Sequence, residues 1–157
     1  MSSSLPIRLR SAFLVELQRY VEQSRREGSL LGVVLIHLHR VSELNTSFGY
    51  EIGDRLIAGV RDRIGRILRQ DDVIERVGVQ EFALLIPSLK NPGHAGLAAS
   101  RIVDVLEEPF EIEGNAIKAH VAIGVSLFPE HAQDADSLLR LADLALARAV
   151  ETNSSVK

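Results

Sequence analysis

Hydrophobic positions recur at helical spacing in the first part of the chain: Phe13, Leu14, Leu17, Tyr20 and Val21 lie between residues 10 and about 26, and Gly28 follows. Residues three and four apart share a helix face, so this stretch predicts an amphipathic helix. The pattern then changes to Leu31-Gly-Val-Val-Leu-Ile36, an unbroken apolar run rich in branched side chains. Such a run predicts a strand buried on both faces, here ending abruptly at His37-Leu38-His39-Arg40. After a second short segment closing near Phe48-Gly49, Ile52, Leu56, Ile57, Val60, Ile64, Ile67 and Leu68 mark one face of a helix reaching about Arg69. Residues 73–77 and 81–86 read as two strands joined over Gly78-Val79-Gln80, a loop short enough for a hairpin, with Pro87 closing the second strand.

Farther on, Asn91-Pro92 sets a capping side chain before a proline at the first helical position, and Ala95, Ala99, Ile102 and Leu106 extend a helical stripe. Phe110-Glu-Ile112 and a long strand over 117–127 flank Glu113-Gly114-Asn115. In that strand Ile117, Ala119, Val121, Ile123, Val125 and Leu127 form a core face, and Lys118, His120, Ala122, Gly124 and Ser126 a more permissive one. Ala135, Leu138, Ala142, Ala145 and Ala149 mark a last helix whose small residues suit close packing on a sheet. The element order predicts an α/β (α+β) domain, its central mixed, mainly antiparallel sheet covered by helices. No repeat or linker divides residues 1–157, so one domain is expected.

Composition narrows the function classes. With 46% hydrophobic residues the chain is not a disordered tail, and with 25% charged residues and no apolar run near ~18 residues it carries no membrane span. Eighteen Lys and Arg against 21 Asp and Glu leave a net charge of -3, which supplies no general field for nucleic acid or an anionic membrane. There is no cysteine, hence no disulfide, thiolate nucleophile or Cys-ligated metal. The start, Met1-Ser-Ser-Ser-Leu5, lacks the basic and apolar blocks of a secretory signal, and a cytoplasmic location is expected. Twenty-one acids are ample for a metal-dependent site, so their placement decides the matter.

The segment Leu35-Ile-His-Leu-His-Arg-Val-Ser-Glu-Leu-Asn45-Thr-Ser-Phe-Gly-Tyr-Glu-Ile-Gly-Asp54, with Arg76-Val-Gly-Val-Gln-Glu-Phe82, resembles the GGDEF domain of bacterial diguanylate cyclases. In that family a buried strand ends in Asp-x-Asp-x-Phe-Lys, an Asn and an Asp follow at fixed distances, and a hairpin carries Gly-Gly-(Asp/Glu)-Glu-Phe. Ala12-Phe13, Gly124-Val-Ser-Leu-Phe-Pro129 and Ala142-Asp-Leu-Ala-Leu146 extend the resemblance over nearly the whole chain. It implies the GGDEF, nucleotidyl cyclase-like fold. Family enzymes join two GTP molecules into cyclic di-GMP on divalent metal, which requires hard oxygen ligands.

At the matching positions this chain departs from the family. His37 and His39 stand where the two strand-end acids would be, and the signature reads Gly78-Val79-Gln80-Glu81-Phe82, with Gln80 in place of a metal-binding acid. Val79 replaces a glycine that would permit a positive-φ turn and close nucleotide approach. Ser42 replaces a lysine, and Val150 and Ser154 replace the phosphate-contacting Lys and Arg of the last helix. The resemblance therefore implies a degenerate domain with no catalytic residue, no resident metal and no cofactor. His37 and His39 share one side of a strand and could bind zinc only with a third ligand, so they read as satisfied polar residues.

What the resemblance retains is binding chemistry. Asn45 and Asp54 match the residues that hydrogen-bond guanine, although the same side chains also suit a local turn and the start of the long helix. Arg69-Gln-Asp-Asp72 matches the family's Arg-x-x-Asp inhibitory site for cyclic di-GMP, with Arg101 as a further contact, and a common solvated charge pair is its plain alternative. Between residues 55 and 76, six Arg face four acids, a local surplus on an acidic chain. Three readings follow: a catalytically inactive regulatory module sensing cyclic di-GMP, an interaction or homodimerisation module binding no nucleotide, and a GTP-binding regulator of an attached EAL phosphodiesterase domain. Neighbouring EAL or PAS domains are expected from the resemblance, and contact with nucleic acid or membrane is not.

Overall fold

The apolar run of β1 (Leu30–His39) lies at the middle of the molecule, where six consecutive residues from Leu31 to Ile36 are buried. Its branched side chains point alternately to two faces, and each face meets a separate core. The computed structural model describes residues 10–151. Around β1 are α1 (Arg10–Glu27), α2 (Val41–Phe48), α3 (Tyr50–Ile67), β2 (Val73–Gly78), β3 (Glu81–Leu89), α4 (Gly93–Val105), β4 (Phe110–Ile112), β5 (Asn115–Ile117), β6 (His120–Phe128) and α5 (Ala135–Glu151). The sheet has the order β2-β3-β1-β6 and every one of its ladders is antiparallel, while β4 and β5 form a separate hairpin.

Val34, Ile36 and Leu38 meet α3, α4 and the small hairpin through Ile57, Val60, Ile102 and Phe110. Leu31, Val33 and Leu35 meet α1 and α5 through Phe13, Leu17, Leu138 and Ala142. Burying each such aliphatic side chain stabilises the fold by roughly 1.5–3 kcal/mol relative to exposure, so β1 ties both cores together. Arg63 closes one corner of the molecule. Its guanidinium stacks 3.5 Å from the Phe110 ring centroid and donates to the carbonyls of Val105, Glu108 and Pro109.

Several elements depart from the sequence pattern. β1 continues through His37 to His39 because both neighbours keep pairing with it, His37 with Glu81 of β3 and His39 with His120 of β6. β3 also runs past Pro87 to Leu89. The β1–β3 register shifts between Leu30 and Gly32, so proline sits at an irregular point of the ladder, next to Ser88 with φ 58°. The expected long strand over 117–127 is divided, since Ile117 belongs to β5 and pairs with Phe110. The supposedly permissive face of β6 is closely packed: Ala122 and Ser126 are buried, and Ser126 Oγ donates to Leu138 O at 2.8 Å. A Cβ on Gly124 would collide with the Ala142 carbonyl and the Leu146 amide, which explains the small residues of this face. At α4, Asn91 Oδ1 accepts the Gly93 N–H at 2.8 Å, and Pro92 occupies the cap position rather than the first helical one.

Candidate functional site

The hairpin between β2 and β3 is held from below by a buried arginine. Arg76 Nε donates to Gly78 O at 3.2 Å and Nη2 to Val79 O at 2.6 Å. Burial lowers the pKa of this guanidinium, and the charge of Asp54 opposes that shift. Val79 is not among the positive-φ residues, so the turn takes valine without backbone strain and leaves its side chain 66% exposed. Gln80 fastens the turn to β1, its carbonyl accepting the Leu38 N–H at 2.9 Å.

Glu81, which begins β3, is half-buried and engaged on both carboxylate oxygens. Arg10 Nη2 donates to Oε1 at 2.9 Å while Arg10 Nη1 reaches Asp143 Oδ2 on α5 at 2.7 Å. His37 Nδ1 lies 3.7 Å from Oε2, an ion-pair separation rather than a good hydrogen bond. His37 first, then Arg10, hold the Glu81 carboxyl down to about 2 against the opposing effect of burial. His39 lies beside His37, ring centroids 4.9 Å apart. Among the described residues no group of three or more His, Cys, Asp and Glu is arranged to hold a metal ion. Phe82 is fully buried in the α3/α4 core, and Ser154 lies outside the described residues.

Asn45 and Asp54 flank the α2–α3 junction. Asn45 Oδ1 accepts the Gly53 N–H at 3.0 Å, and a Cβ at residue 53 would collide with that amide, so Asn45 does serve the local turn. Asp54 sits in the second turn of α3, and Glu51 is the acid of the first turn. The helix-start role is corrected, and the charge of Asp54 acts on Arg76 instead.

Arg69, Asp72 and Arg101 come together. Asp72 has 5% of its side chain exposed and accepts the Arg69 backbone N–H at 2.8 Å and Nη2 at 2.9 Å. Arg69 Nη2 also donates to the Pro87 carbonyl, freed from the ladder by the irregularity in β3. With Arg101 and His94 of α4 these residues rim a cavity of about 260 Å³ whose walls include Ile67, Ile86, Leu89 and Leu97. His94, Leu97, Ala98 and Arg101 form one face of α4, a spacing visible in the sequence. His94 was not foreseen as part of the site because only packing of α4 on β3 brings it there. Arg10 and Asp143, far apart in sequence, gave no signal of their meeting at Glu81.

Comparison with known proteins agrees with this architecture. The family model described as "Diguanylate cyclase, GGDEF domain" matches residues 7–155. The cyclic di-GMP phosphodiesterase NbdA of Pseudomonas aeruginosa is 31% identical over 137 residues, covering 87% of this chain and 17% of NbdA. The diguanylate cyclase TpbB of the same organism is 31% identical over 145 residues, covering 92% of this chain and 33% of TpbB. The crystal structure of the TpbB GGDEF domain superposes with a TM-score of 0.87 at 31% identity, covering 95% of this chain and 92% of that one. The chain thus spans a third or less of these curated relatives. In sequence and in fold, the chain belongs to the GGDEF family of signalling domains related to proteins of cyclic di-GMP metabolism.

Proposed function

We propose that this chain is a degenerate GGDEF domain without cyclase turnover, and that it senses cyclic di-GMP through Arg69, Asp72 and Arg101 as a regulatory part of a larger signalling protein. The observation that carries the reading is the convergence of these three residues on one cavity of about 260 Å³. A forked guanidinium, a buried carboxylate and a second arginine over apolar walls suit a planar, guanine-bearing dianion. Arg69 is paired with Asp72 and Pro87 O, so the fork is already oriented at the mouth of the groove.

Loss of turnover is supported by the donors at the family's metal positions. A hard cation such as Mg²⁺ takes oxygen ligands, and His37 and Gln80 do not supply carboxylates there. Glu81, the remaining acid, is held by Arg10 and His37. The residues present do not fit that ion. Each lost electrostatic contact to a transition state costs roughly 10²–10³ in rate, so several together bring turnover below use. EAL or PAS neighbours belong to the same proposal.

Calorimetry with cyclic di-GMP and with GTP, each with Mg²⁺, tests the reading. Saturable cyclic di-GMP binding that disappears in Arg69→Ala supports the sensor, and silence with both ligands leaves a partner-binding module. Formation of cyclic di-GMP from GTP, abolished by Glu81→Ala, overturns the absence of turnover. In the double variant His37→Asp, Gln80→Glu, metal-dependent GTP binding should improve if these positions correspond to the family's metal ligands.

A further inference from the structure

The turn from α1 into β1 encloses a small hollow at the end of the sheet opposite the β2–β3 hairpin, since β1 begins beside Leu89 and reaches Glu81 only at His37. Gly28 at φ 65° follows α1 in the left-handed conformation, and the Ser29 N–H returns to the Ser24 carbonyl at 3.0 Å, the bond that closes a glycine-terminated helix. Ser29 is thereby folded back on the last turns of α1, where it and Ser24 line one cavity of about 280 Å³. Leu30, Phe128 and Pro129 form the apolar part of its wall. The far side is fixed by its own bonds: His131 Nδ1 accepts the Leu127 N–H at 2.9 Å, and Asp134, next to Gln133, accepts the Ser137 N–H at 2.8 Å.

Two hydroxyls of this cavity have hydrogen-bonding capacity to spare. Ser29 Oγ is buried and has no hydrogen-bond partner, alone in this among the side-chain nitrogens and oxygens of the described residues. Ser24 is 3% exposed, and among the described residues its hydroxyl makes no hydrogen bond either. A buried hydroxyl left unpaired costs free energy, and the cavity is far larger than the ~10–15 Å³ that one water needs. The charge at the site is already balanced. Arg25 reaches from α1 to the segment before α5, its guanidinium carbon 5.6 Å from the Phe128 ring centroid, with Nη2 donating to Gln133 O at 2.6 Å and Nη1 to Glu22 Oε1 at 3.2 Å. The C-terminal end of α1 adds the negative end of a helix dipole, so an anion gains little here. Hydroxyls donate and accept at once, and an amide matches them by doing both.

We propose that this hollow binds a small uncharged ligand whose amide head is hydrogen-bonded by Ser24 and Ser29, while its apolar body rests against Leu30, Phe128 and Pro129. The volume lies near the lower end of small-molecule sites, about 300 Å³, so the body is a single ring or smaller. The site shares no residue with the Arg69 groove, and the two readings stand or fall separately.

Titration of the full chain with benzamide, followed by backbone amide NMR shifts, tests the proposal. Shifts at Gly28, Ser29 and Gln133 should saturate at millimolar concentration while Asp72 stays in place. Acetamide, which lacks the ring, and benzoate, which carries a charge, should each bind about tenfold more weakly, equivalent to the loss of one good contact. Ser24→Ala with Ser29→Ala should weaken benzamide by at least about tenfold, yet leave the thermal midpoint unchanged or raised, because it removes hydroxyls that have no partner in the protein. Ser29→Ala alone replaces the double variant should that one unfold. The proposal fails if benzamide produces no saturable shift around Ser29, if a folded serine variant binds it unchanged, or if benzoate binds as tightly as benzamide.

Discussion

Glu81 shows how the surroundings set the behaviour of one side chain. Its carboxyl is held at about 2, against an ordinary value of 4.5, by His37 and Arg10. A carboxyl depressed in the folded state contributes stability that is complete above the unfolded value and is lost as pH falls from about 4.5 through about 2. Following the Glu81 side-chain carbon by NMR should show this low titration, and Arg10→Ala should move it upward. His39 and His120 contribute in a different window. Burial, then His37 and His120, lower the first; burial, then Arg40 and Lys118, lower the second. Their stabilisation is present above the unfolded value of 6.5 and declines as pH falls below it, because the unfolded chain then binds more protons. Urea midpoints measured through that range should fall less steeply for His120→Gln than for the parent. The residue identities were legible in the sequence; their partners were not, since Arg10, Glu81 and Asp143 come from α1, β3 and α5.

At the scale of elements, periodicity located α1, α3, α4 and α5 because an amphipathic stripe is written into each one locally, whereas the short segment closing near Phe48-Gly49 proves to be the helix α2, which the spacing did not identify. Strand limits depend on neighbours. β1 extends to His39 because β3 and β6 pair with it, and β3 passes Pro87 because the ladder is irregular there. β6 provides a sharper case, since alternating small residues mimicked a permissive face and instead receive α5. Gly124→Val should destabilise the domain by more than about 2 kcal/mol in urea unfolding, because backbone atoms of α5 cannot yield as a flexible side chain would. The segment between α3 and β2 depends similarly on one carboxylate. Asp72→Ala deprives the Arg69 N–H and guanidinium of their acceptor and should cost about 1–3 kcal/mol by the same measurement.

Across the described residues, helices on both sides of a four-stranded sheet enclose two cores built of apolar side chains, and the sequence has no cysteine. Thermal unfolding should therefore be the same in EDTA and in millimolar Mg²⁺, whereas a shift of several degrees with Mg²⁺ would point to a cation held in the folded state. No helix among the described residues is long and apolar enough to cross a membrane. The chain spans 17% of NbdA and 33% of TpbB.

The sequence by itself determined the helix stripes, the doubly buried strand and the family, because each is a matter of residue type at fixed spacing. Tertiary structure alone decided which charges meet. It set Arg101 and His94 beside Arg69 around one cavity, brought Glu81 to Arg10, and paired His39 with His120. The physical reason is range: side-chain periodicity is a local property of the backbone, while an ion pair or a groove exists only where separate elements pack within a few ångströms.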